Sequence, residues 1–255
     1  MKPFFISAVL LCLALISNAQ KQGAFLKEND LKGKVKKVNV LLYTDRESET
    51  DTSHAPFITI LEFDEKGNLT KETRPGNKII SYKIDYRYNS NNTITGKKRD
   101  SDGDLVGGIT FRYDKLGSLI EIKRENSMAG PPRQIFKNDD KGNCTEIDNF
   151  IDDDVIGSKT FITYGENGLK NSRKTYSIKG GITGSEAFDY DSLQNLVEYK
   201  QYFPNGYLLE KQLFSNRNRD QNDNWQLRII TRASHTHDYL FELHYVIIKR
   251  KIEYY

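Results

Sequence analysis

Apolar and polar residues alternate along much of the chain after its first twenty residues. Tyr82, Ile84, Tyr86 and Tyr88 alternate with polar or charged neighbours. The same period of two recurs at 38–42, 109–113 and 188–190. A period of two puts alternate side chains on opposite faces of a β-strand. The pattern therefore predicts an all-β protein made of antiparallel strands with one packed face and one wet face.

A short motif recurs at nearly constant spacing through the middle of the chain. The copies read FDEKGNL, YNSNNTI, YDKLGSL, NDDKGNC, YGENGLK and YDSLQNL, and they start at residues 63, 88, 113, 138, 164 and 190. The steps between these starts are 25, 25, 25, 26 and 26 residues. A constant period of this length predicts a repeat architecture.

Each copy of the motif has the residues of a hairpin turn. The Asp or Asn side chain can accept hydrogen bonds from backbone amides two residues on, and a central glycine such as Gly67 tolerates positive φ. A second turn falls about halfway through most repeats, at 75–77, 102–104, 130–132, 152–154 and 180–181. We therefore expect tandem hairpins that form a repetitive antiparallel β-sheet, open or curled, in a single layer.

Both ends of the β domain depart from the repeat. The repeats span about 60–212, so residues 25–59 and 213–255 are predicted to be terminal caps that cover the edges of the sheet. In the last strand Arg250 interrupts an alternating apolar row. Together with Lys249 and Lys251 it would discourage edge-to-edge pairing if that strand is an edge.

Residues 1–19 have the features of a secretory signal peptide. Lys2 precedes an apolar core from Phe4 to Ile16, and Ser17-Asn18-Ala19 offers a cleavage site before Gln20. The apolar run is shorter than the ~20 residues that a spanning helix needs. We therefore expect residues 20–255 to form one exported domain, in the periplasm or at the cell surface, with no membrane span after the signal is removed.

Composition narrows the possible partners. The formal net charge is +3, from 38 basic and 35 acidic residues, and the two signs are interspersed. The chain therefore has no basic stripe of the kind that follows a phosphate backbone, and no nucleic-acid partner is expected. Cys144 is the only cysteine outside the signal segment, so no internal disulfide can form. It occupies the motif position of Leu69 and Leu119, which predicts a small core hydrophobe.

Three copies of the motif resemble a known family. The segments 63–69, 113–119 and 190–196 combine an aromatic residue, Asp and a later apolar residue, and they resemble the YD repeats of bacterial Rhs-type surface proteins. The resemblance covers roughly 60–210. It implies a continuous winding β-sheet, and some members of that family bind carbohydrate. The large members wrap a toxin cargo, but this chain is too short to do so, and its outline is similar to small exported YD-repeat proteins.

Two short motifs contain residues that bind metals in other proteins. Asp100, Asp102 and Asp104 stand at alternate positions, a spacing that suits calcium, although an Asp-Gly turn is also what a hairpin array needs. His235 and His237 would face the same way in a strand, as a two-ligand site requires, and Asp238 or His244 could complete it. The alternative for the histidines is a polar hairpin. We expect ordinary turns at both motifs and no metal or cofactor.

Catalytic motifs are missing from the sequence. It contains no Gly-x-Ser-x-Gly, no His-Glu-x-x-His and no phosphate-binding glycine loop, and no pair of carboxylates stands out. We expect an exported envelope or surface binding or scaffold module, not an enzyme, with a glycan or protein partner. The alternative is a structural subunit of an envelope complex. Exposed aromatic rows would indicate glycan binding, whereas an uncovered strand edge or apolar patch would indicate a subunit.

Overall fold

The chain forms sixteen β-strands. The computed structural model describes residues 31–46, 56–76, 81–89, 93–126, 128, 130–152, 154–235 and 241–255. The strands are β1 (Val35–Arg46), β2 (Phe57–Phe63), β3 (Leu69–Arg74), β4 (Tyr82–Tyr88), β5 (Thr93–Arg99), β6 (Leu105–Tyr113), β7 (Leu119–Asn126), β8 (Arg133–Asn138), β9 (Cys144–Asp152), β10 (Val155–Tyr164), β11 (Lys170–Ser177), β12 (Ile182–Tyr190), β13 (Leu196–Tyr202), β14 (Leu208–Arg219), β15 (Trp225–His235) and β16 (Phe241–Tyr254). None of the described segments is a helix long and apolar enough to cross a membrane. The predicted signal peptide lies outside these residues.

The sheet closes on itself. Each strand pairs antiparallel with the next strand in sequence, and β1 also pairs with β16, which makes a closed barrel. The predicted antiparallel all-β sheet is therefore confirmed, but the prediction that it is open or curled is wrong. The physical reason is that β1 and β16 satisfy each other's backbone groups along long strands, with Val38 opposite Ile252 and Val40 opposite Arg250. Arg250 thus lies in a paired strand and not on a free edge.

The repeated motif folds into one kind of turn. In the first copy the Asp64 N–H bonds the Asn68 carbonyl at 2.9 Å, and the Gly67 N–H bonds the Asp64 carbonyl at 2.9 Å. The Asp64 carboxylate accepts hydrogen bonds from the amides of Lys66 and Asn68. Gly67 has a φ of 80°, as predicted. This is a type I turn followed by a left-handed residue, a common three-residue hairpin loop.

The same two backbone hydrogen bonds occur in nine of the connections that the structure describes. They start at residues 64, 100, 114, 139, 165, 177, 191, 203 and 220. In each turn the fourth residue has positive φ, and it is glycine in all except Gln194 and Asp223. The turn at Asp220 lies in the predicted C-terminal cap and was not recognised as a copy of the turn, because Asp223 replaces the glycine. We call the end of the barrel with the turns at 64, 114, 139, 165, 191 and 220 the repeat end, and the other end the far end.

The apolar residues of the motif form the core on the inner face of the barrel near the repeat end. Register places them on one face of neighbouring strands, as with Ile94 opposite Phe111 and Phe111 opposite Ile122. The largest cluster runs from β5 to β10 and consists of Ile94, Ile109, Phe111, Tyr113, Leu119, Ile122, Phe136, Cys144, Ile147 and Ile162. The predicted packed face of the sheet is thus the inner face of the barrel.

At three copies of the motif, the side chain at the first position joins its repeat to the preceding one. The Tyr88 hydroxyl donates to the Leu69 carbonyl, the Asn138 amide to the Leu119 carbonyl, and the Tyr164 hydroxyl to the Cys144 carbonyl, each at 2.9 Å. These donors are 19 or 20 residues from their acceptors. Asn138 therefore donates to the preceding repeat as Tyr88 and Tyr164 do, whereas Phe63 in the first copy has no donor at this position.

The seam between the two ends of the chain has its own polar connection. Asn224 is completely buried. Its amide nitrogen donates to the Lys32 carbonyl at 2.9 Å and to the Tyr254 hydroxyl at 2.7 Å, and its oxygen accepts from the Lys32 amide at 2.6 Å. One side chain therefore joins the last repeat-end turn to the segment before β1 and to β16.

We predict that Asn224→Ala lowers the free energy of unfolding by about 2–4 kcal/mol, because it removes the three hydrogen bonds through which a completely buried side chain joins Lys32 and Tyr254. The control is Asn195→Ala, which removes the same residue from the same position of another turn, where Asn195 bonds only within its exposed turn or to nearby Arg219. Urea denaturation measures both. Equal effects of the two substitutions would contradict the role of Asn224 at the seam.

Gly168→Ala tests the left-handed turn position. Gly168 has a φ of 75°, and the space that a Cβ would occupy is open, so any loss comes from the backbone. We expect about 1 kcal/mol of destabilisation by thermal unfolding. Gly181→Ala, where φ is not left-handed and the nearest atom to an added Cβ is 3.8 Å away, is the control and should cause no loss.

Candidate binding site on the inner wall

The inner wall becomes polar toward the far end of the barrel. From β7 to β15, the inward-facing positions beyond the apolar core contain hydrogen-bonding and charged side chains. We call this set the inner polar belt, and it consists of Arg124, Gln134, Asn149, Thr160, Arg173, Thr175, Glu186, Tyr199, Glu210, Gln212 and Arg232. Alternation in each strand puts these residues on the same face as the core.

The first part of the inner polar belt is a chain of hydrogen bonds that begins at an arginine and continues through neutral side chains. The Arg124 guanidinium donates to the Gln134 side chain at 2.7 Å, and Gln134 donates to Asn149 at 2.7 Å. Asn149 donates to the Thr160 hydroxyl at 3.2 Å, which lies 3.0 Å from the Thr175 hydroxyl. Burial lowers the pKa of Arg124 to about 10. These side chains hold one another in fixed orientations across five strands.

The second part of the belt contains two arginine–glutamate pairs. Arg173 on β11 donates to Glu186 on β12. Arg232 on β15 donates to both carboxylate oxygens of Glu210 on β14, at 2.7 and 3.3 Å. Tyr199 on β13 lies between the pairs, and burial together with the Glu186 carboxylate raises the pKa of its hydroxyl. The charges of the two glutamates are thus balanced by those of the arginines. The Tyr199 hydroxyl keeps its proton and can donate a hydrogen bond.

Two buried polar atoms of the belt have no hydrogen-bond partner among the described residues. They are the Arg173 Nε, a donor, and the Gln212 Oε1, an acceptor. The ring of Tyr199 packs against Phe188 at a centroid distance of 5.5 Å, at the border of the belt and the core. Donors, acceptors and an aromatic ring therefore lie close together on a wall whose glutamates are paired. Such a wall offers hydrogen bonds and an aromatic face to a polar ligand.

Lys170 is a charged residue at a core position of the motif. It occupies the place of Leu69 and Leu119, is buried, and lies 5.1 Å from the centroid of the Phe188 ring. Burial lowers its pKa to about 8, and neighbouring Arg173 acts in the same direction. Cys144, also buried on this wall, has its pKa raised by burial to about 11. The thiol is therefore a core group, as predicted, and not an activated nucleophile.

The outer wall is charged along the middle of its strands. Glu121 pairs with Arg112 and Arg133, both at 2.7 Å. Lys159 bridges Asp148 at 2.6 Å and Glu146 at 3.0 Å. Further outward pairs join Glu62 to Lys71, Lys83 to Asp85, Lys137 to Glu146, and Glu198 to both Lys200 and Lys211. These ion pairs follow the outer face around most of the barrel.

The candidate calcium motif, which was expected to be an ordinary turn, is another copy of the repeat turn, at the far end. The Asp100 carboxylate accepts the amides of Asp102 and Asp104, both at 3.0 Å, as Asp64 does in the first turn. Its oxygen therefore already serves the backbone, and the side chains of Asp102 and Asp104 are exposed. Nowhere in the described ranges do three or more His, Cys, Asp or Glu residues group in a way that could hold a metal ion.

The histidine motif is only partly within the described residues. His235 ends β15 with its backbone opposite Phe241, and His237 lies outside the described residues. His244, the possible third ligand, lies opposite Arg232 on β16. The described residues therefore test neither a metal site at these histidines nor the polar hairpin that is its alternative.

Sequence reasoning missed the inner polar belt. A signal for it was present in the sequence. Charged residues such as Glu186, Glu210 and Arg232 stand an even number of residues from Phe188, Phe214 and Ile230, so alternation places them on the same face as these apolar residues. Such an interruption of an apolar row was recognised only at Arg250. Deciding whether an interrupted row lies on the core face requires the register of the neighbouring strands, which the sequence does not contain.

Comparisons with known proteins support the fold. No protein-family model matches the chain, and no curated protein matches it. A porin-like protein from Bacteroides uniformis ATCC 8492 is similar in structure, with a TM-score of 0.56, 10% identity, and coverage of 86% of this chain and 96% of that one. The low identity restricts this likeness to the fold.

Two weaker structural matches carry no weight for function. The TcdB2–TccC3 structure matches with a TM-score of 0.30 at 10% identity, over 75% of this chain and 14% of that one. A putative outer membrane lipoprotein-sorting protein domain from Vibrio parahaemolyticus matches with a TM-score of 0.25 at 8% identity, over 86% of this chain and 85% of that one.

Lys170→Leu should stabilise the protein at neutral pH, by about 2–3 kcal/mol, because it removes a buried charge and restores the residue of the other repeats. In the native chain the pKa of Lys170 is lowered from 10.5 to about 8. The free-energy cost of burying the charged lysine is therefore greatest below pH 8 and decreases as the pH rises to 10.5. The free energy of unfolding should increase across that window. Urea denaturation at several pH values checks both effects.

The control is Lys174→Leu, which changes an exposed lysine of the same strand. It should leave unchanged both the neutral-pH stability and the rise between pH 8 and 10.5. A Lys170→Leu variant that keeps that rise would show that another group causes it.

Proposed function

We propose that this protein is an exported, envelope-associated module, not an enzyme, that binds a neutral polar ligand, of the glycan class, on the inner polar belt of its barrel. The observation that carries the proposal is the belt itself. A wall of fixed donors and acceptors with paired glutamates and a flanking tyrosine is the arrangement that recognises hydroxyl-rich molecules by many hydrogen bonds.

The outer wall supports a barrel that stands in water. A barrel that crosses a bilayer presents an apolar band about 25 Å tall to lipid. On this barrel the outer face instead contains ion pairs, which are formed by Glu121, Glu146 and Glu198 with basic side chains. Transfer of such ion pairs from water into hydrocarbon costs free energy. We therefore propose no membrane span in the exported domain, despite its likeness in fold to a porin-like protein.

The distribution of aromatic residues supports an internal site. A glycan bound outside would need a row of exposed aromatics, but the large aromatics exposed among the described residues are Phe161, Tyr207 and Tyr255, which are on β10, in a far-end turn and at the C-terminus. Most other tyrosines and phenylalanines of the described residues face inward or are partly buried. The resemblance to YD-repeat proteins, some of which bind carbohydrate, agrees with this choice and remains a proposal.

The experiment is a glycan and envelope-polysaccharide array, probed with the exported protein with and without calcium. Hits are then titrated by calorimetry. We expect calcium-independent binding, because Asp100 is occupied by its own turn. The Glu186→Gln variant, which breaks the pairing with Arg173 on the inner wall, should weaken binding at least tenfold.

The matched control is Glu198→Gln. It makes the same chemical change at a glutamate that also pairs with basic side chains, but on the outer wall, and it should leave affinity unchanged. A blank array, or equal losses from both variants, would contradict binding on the inner polar belt. Binding that requires calcium would instead indicate a site at Asp100, Asp102 and Asp104.

A further inference from the structure

Exposed aliphatic residues cluster on two neighbouring hairpins at the far end of the barrel. Ile151 and Val155 flank the β9–β10 connection and are 71% and 51% exposed. Ile178 and Ile182 flank the β11–β12 connection and are 64% and 38% exposed. Large apolar side chains at such exposure cost solvation free energy when they stand together, so a contiguous group of them marks an interaction surface.

The two hairpins touch each other, so these four side chains belong to one surface. The Ile178 amide donates to the Gly157 carbonyl at 3.3 Å, which joins the β11–β12 hairpin to β10. The Ile151 side chain lies directly over Gly157, where an added Cβ would collide with the Ile151 Cγ2. Glycine at 157 thus leaves room for the Ile151 side chain beside the residue whose carbonyl Ile178 bonds. We call Ile151, Val155, Ile178 and Ile182 the far-end patch.

Charges of opposite sign border the far-end patch on its two hairpins. Asp152 and Asp154 stand between Ile151 and Val155, and both are exposed, with an Asp154 carboxylate oxygen 3.7 Å from Arg133. Lys179 stands beside Ile178 on the other hairpin and is exposed. The patch therefore has an acidic side and a basic side across a few aliphatic residues.

We propose that the far-end patch is an interface with a second copy of this chain. A two-fold axis between the hairpins would place the acidic hairpin of one copy against the basic hairpin of its partner, with isoleucines in contact at the centre. Such a surface is complementary to itself, which is what a two-fold interface requires. The acidic side disfavours an anionic lipid surface, which would repel Asp152 and Asp154.

This inference does not depend on the proposed ligand. The sequence analysis considered a structural subunit that assembles through an uncovered strand edge. The first and last strands of the closed barrel pair with each other and leave no such edge among the described strands, so the far-end patch is the surface through which a subunit would assemble. The interface would form at hairpin tips, outside the paired backbone, so its loss should leave the barrel intact.

Sedimentation velocity of the exported protein from about 1 to 100 µM, a range in which weak dimers dissociate, tests the proposal. We expect a dimer that Ile151→Asp with Ile178→Asp shifts to monomer across this range. Leu116→Asp with Leu193→Asp is the matched control, because both leucines are exposed on repeat-end turns, and this variant should still dimerise. Circular dichroism and melting temperature show that each variant is folded.

Charge exchange provides a second, independent measurement. Lys179→Asp should weaken the dimer at least tenfold, and adding Asp152→Lys with Asp154→Lys to the same chain should restore it. A wild-type protein that is monomeric at the highest concentration would overturn the proposal. A dimer that persists in the Ile151→Asp, Ile178→Asp variant would also overturn it, because the interface would then lie elsewhere.

Discussion

Pairing of β1 with β16 is the constraint on which the rest of this structure depends. A row of tandem hairpins has two free edges, and each edge exposes unpaired backbone groups. Here the first and last strands satisfy each other along 12- and 14-residue strands, and Asn224 fastens the segment before β1 to the last turn. Closure also separates two faces chemically, since one face of the sheet becomes an inner wall and the other an outer wall.

The two faces show how one alternating pattern serves different environments. On the inner wall the apolar positions of the motif meet near the repeat end, and the same rows continue as the inner polar belt toward the far end. On the outer wall, charged residues pair with neighbours on adjacent strands, as Lys159 does with Glu146 and Asp148. The proposed site for a polar ligand therefore lies inside a barrel whose outer wall is charged. At the far-end patch, by contrast, apolar side chains are exposed.

Local chemistry made much of the fold predictable. The Asp and Gly of each motif specify a type I turn with a left-handed residue, so hairpin positions followed from a few residues, and the packed face followed from alternation. The motif at 100–104 was expected to be an ordinary turn, and the Asp100 hydrogen bonds show that it is a copy of the same turn. The turn at Asp220 was missed because Asp223 takes the conformation that glycine takes elsewhere.

The sequence by itself determined the strand type, the hairpin period, the antiparallel order and the burial of Cys144, because each depends on neighbours a few residues away. Only the tertiary structure decided that the sheet closes, because the pairing of Val38 with Ile252 joins residues from opposite ends of the chain. It likewise decided which polar residues form the inner polar belt and that Ile151 and Ile178 share one patch. Those relations depend on register and curvature summed over sixteen strands, which no local pattern specifies.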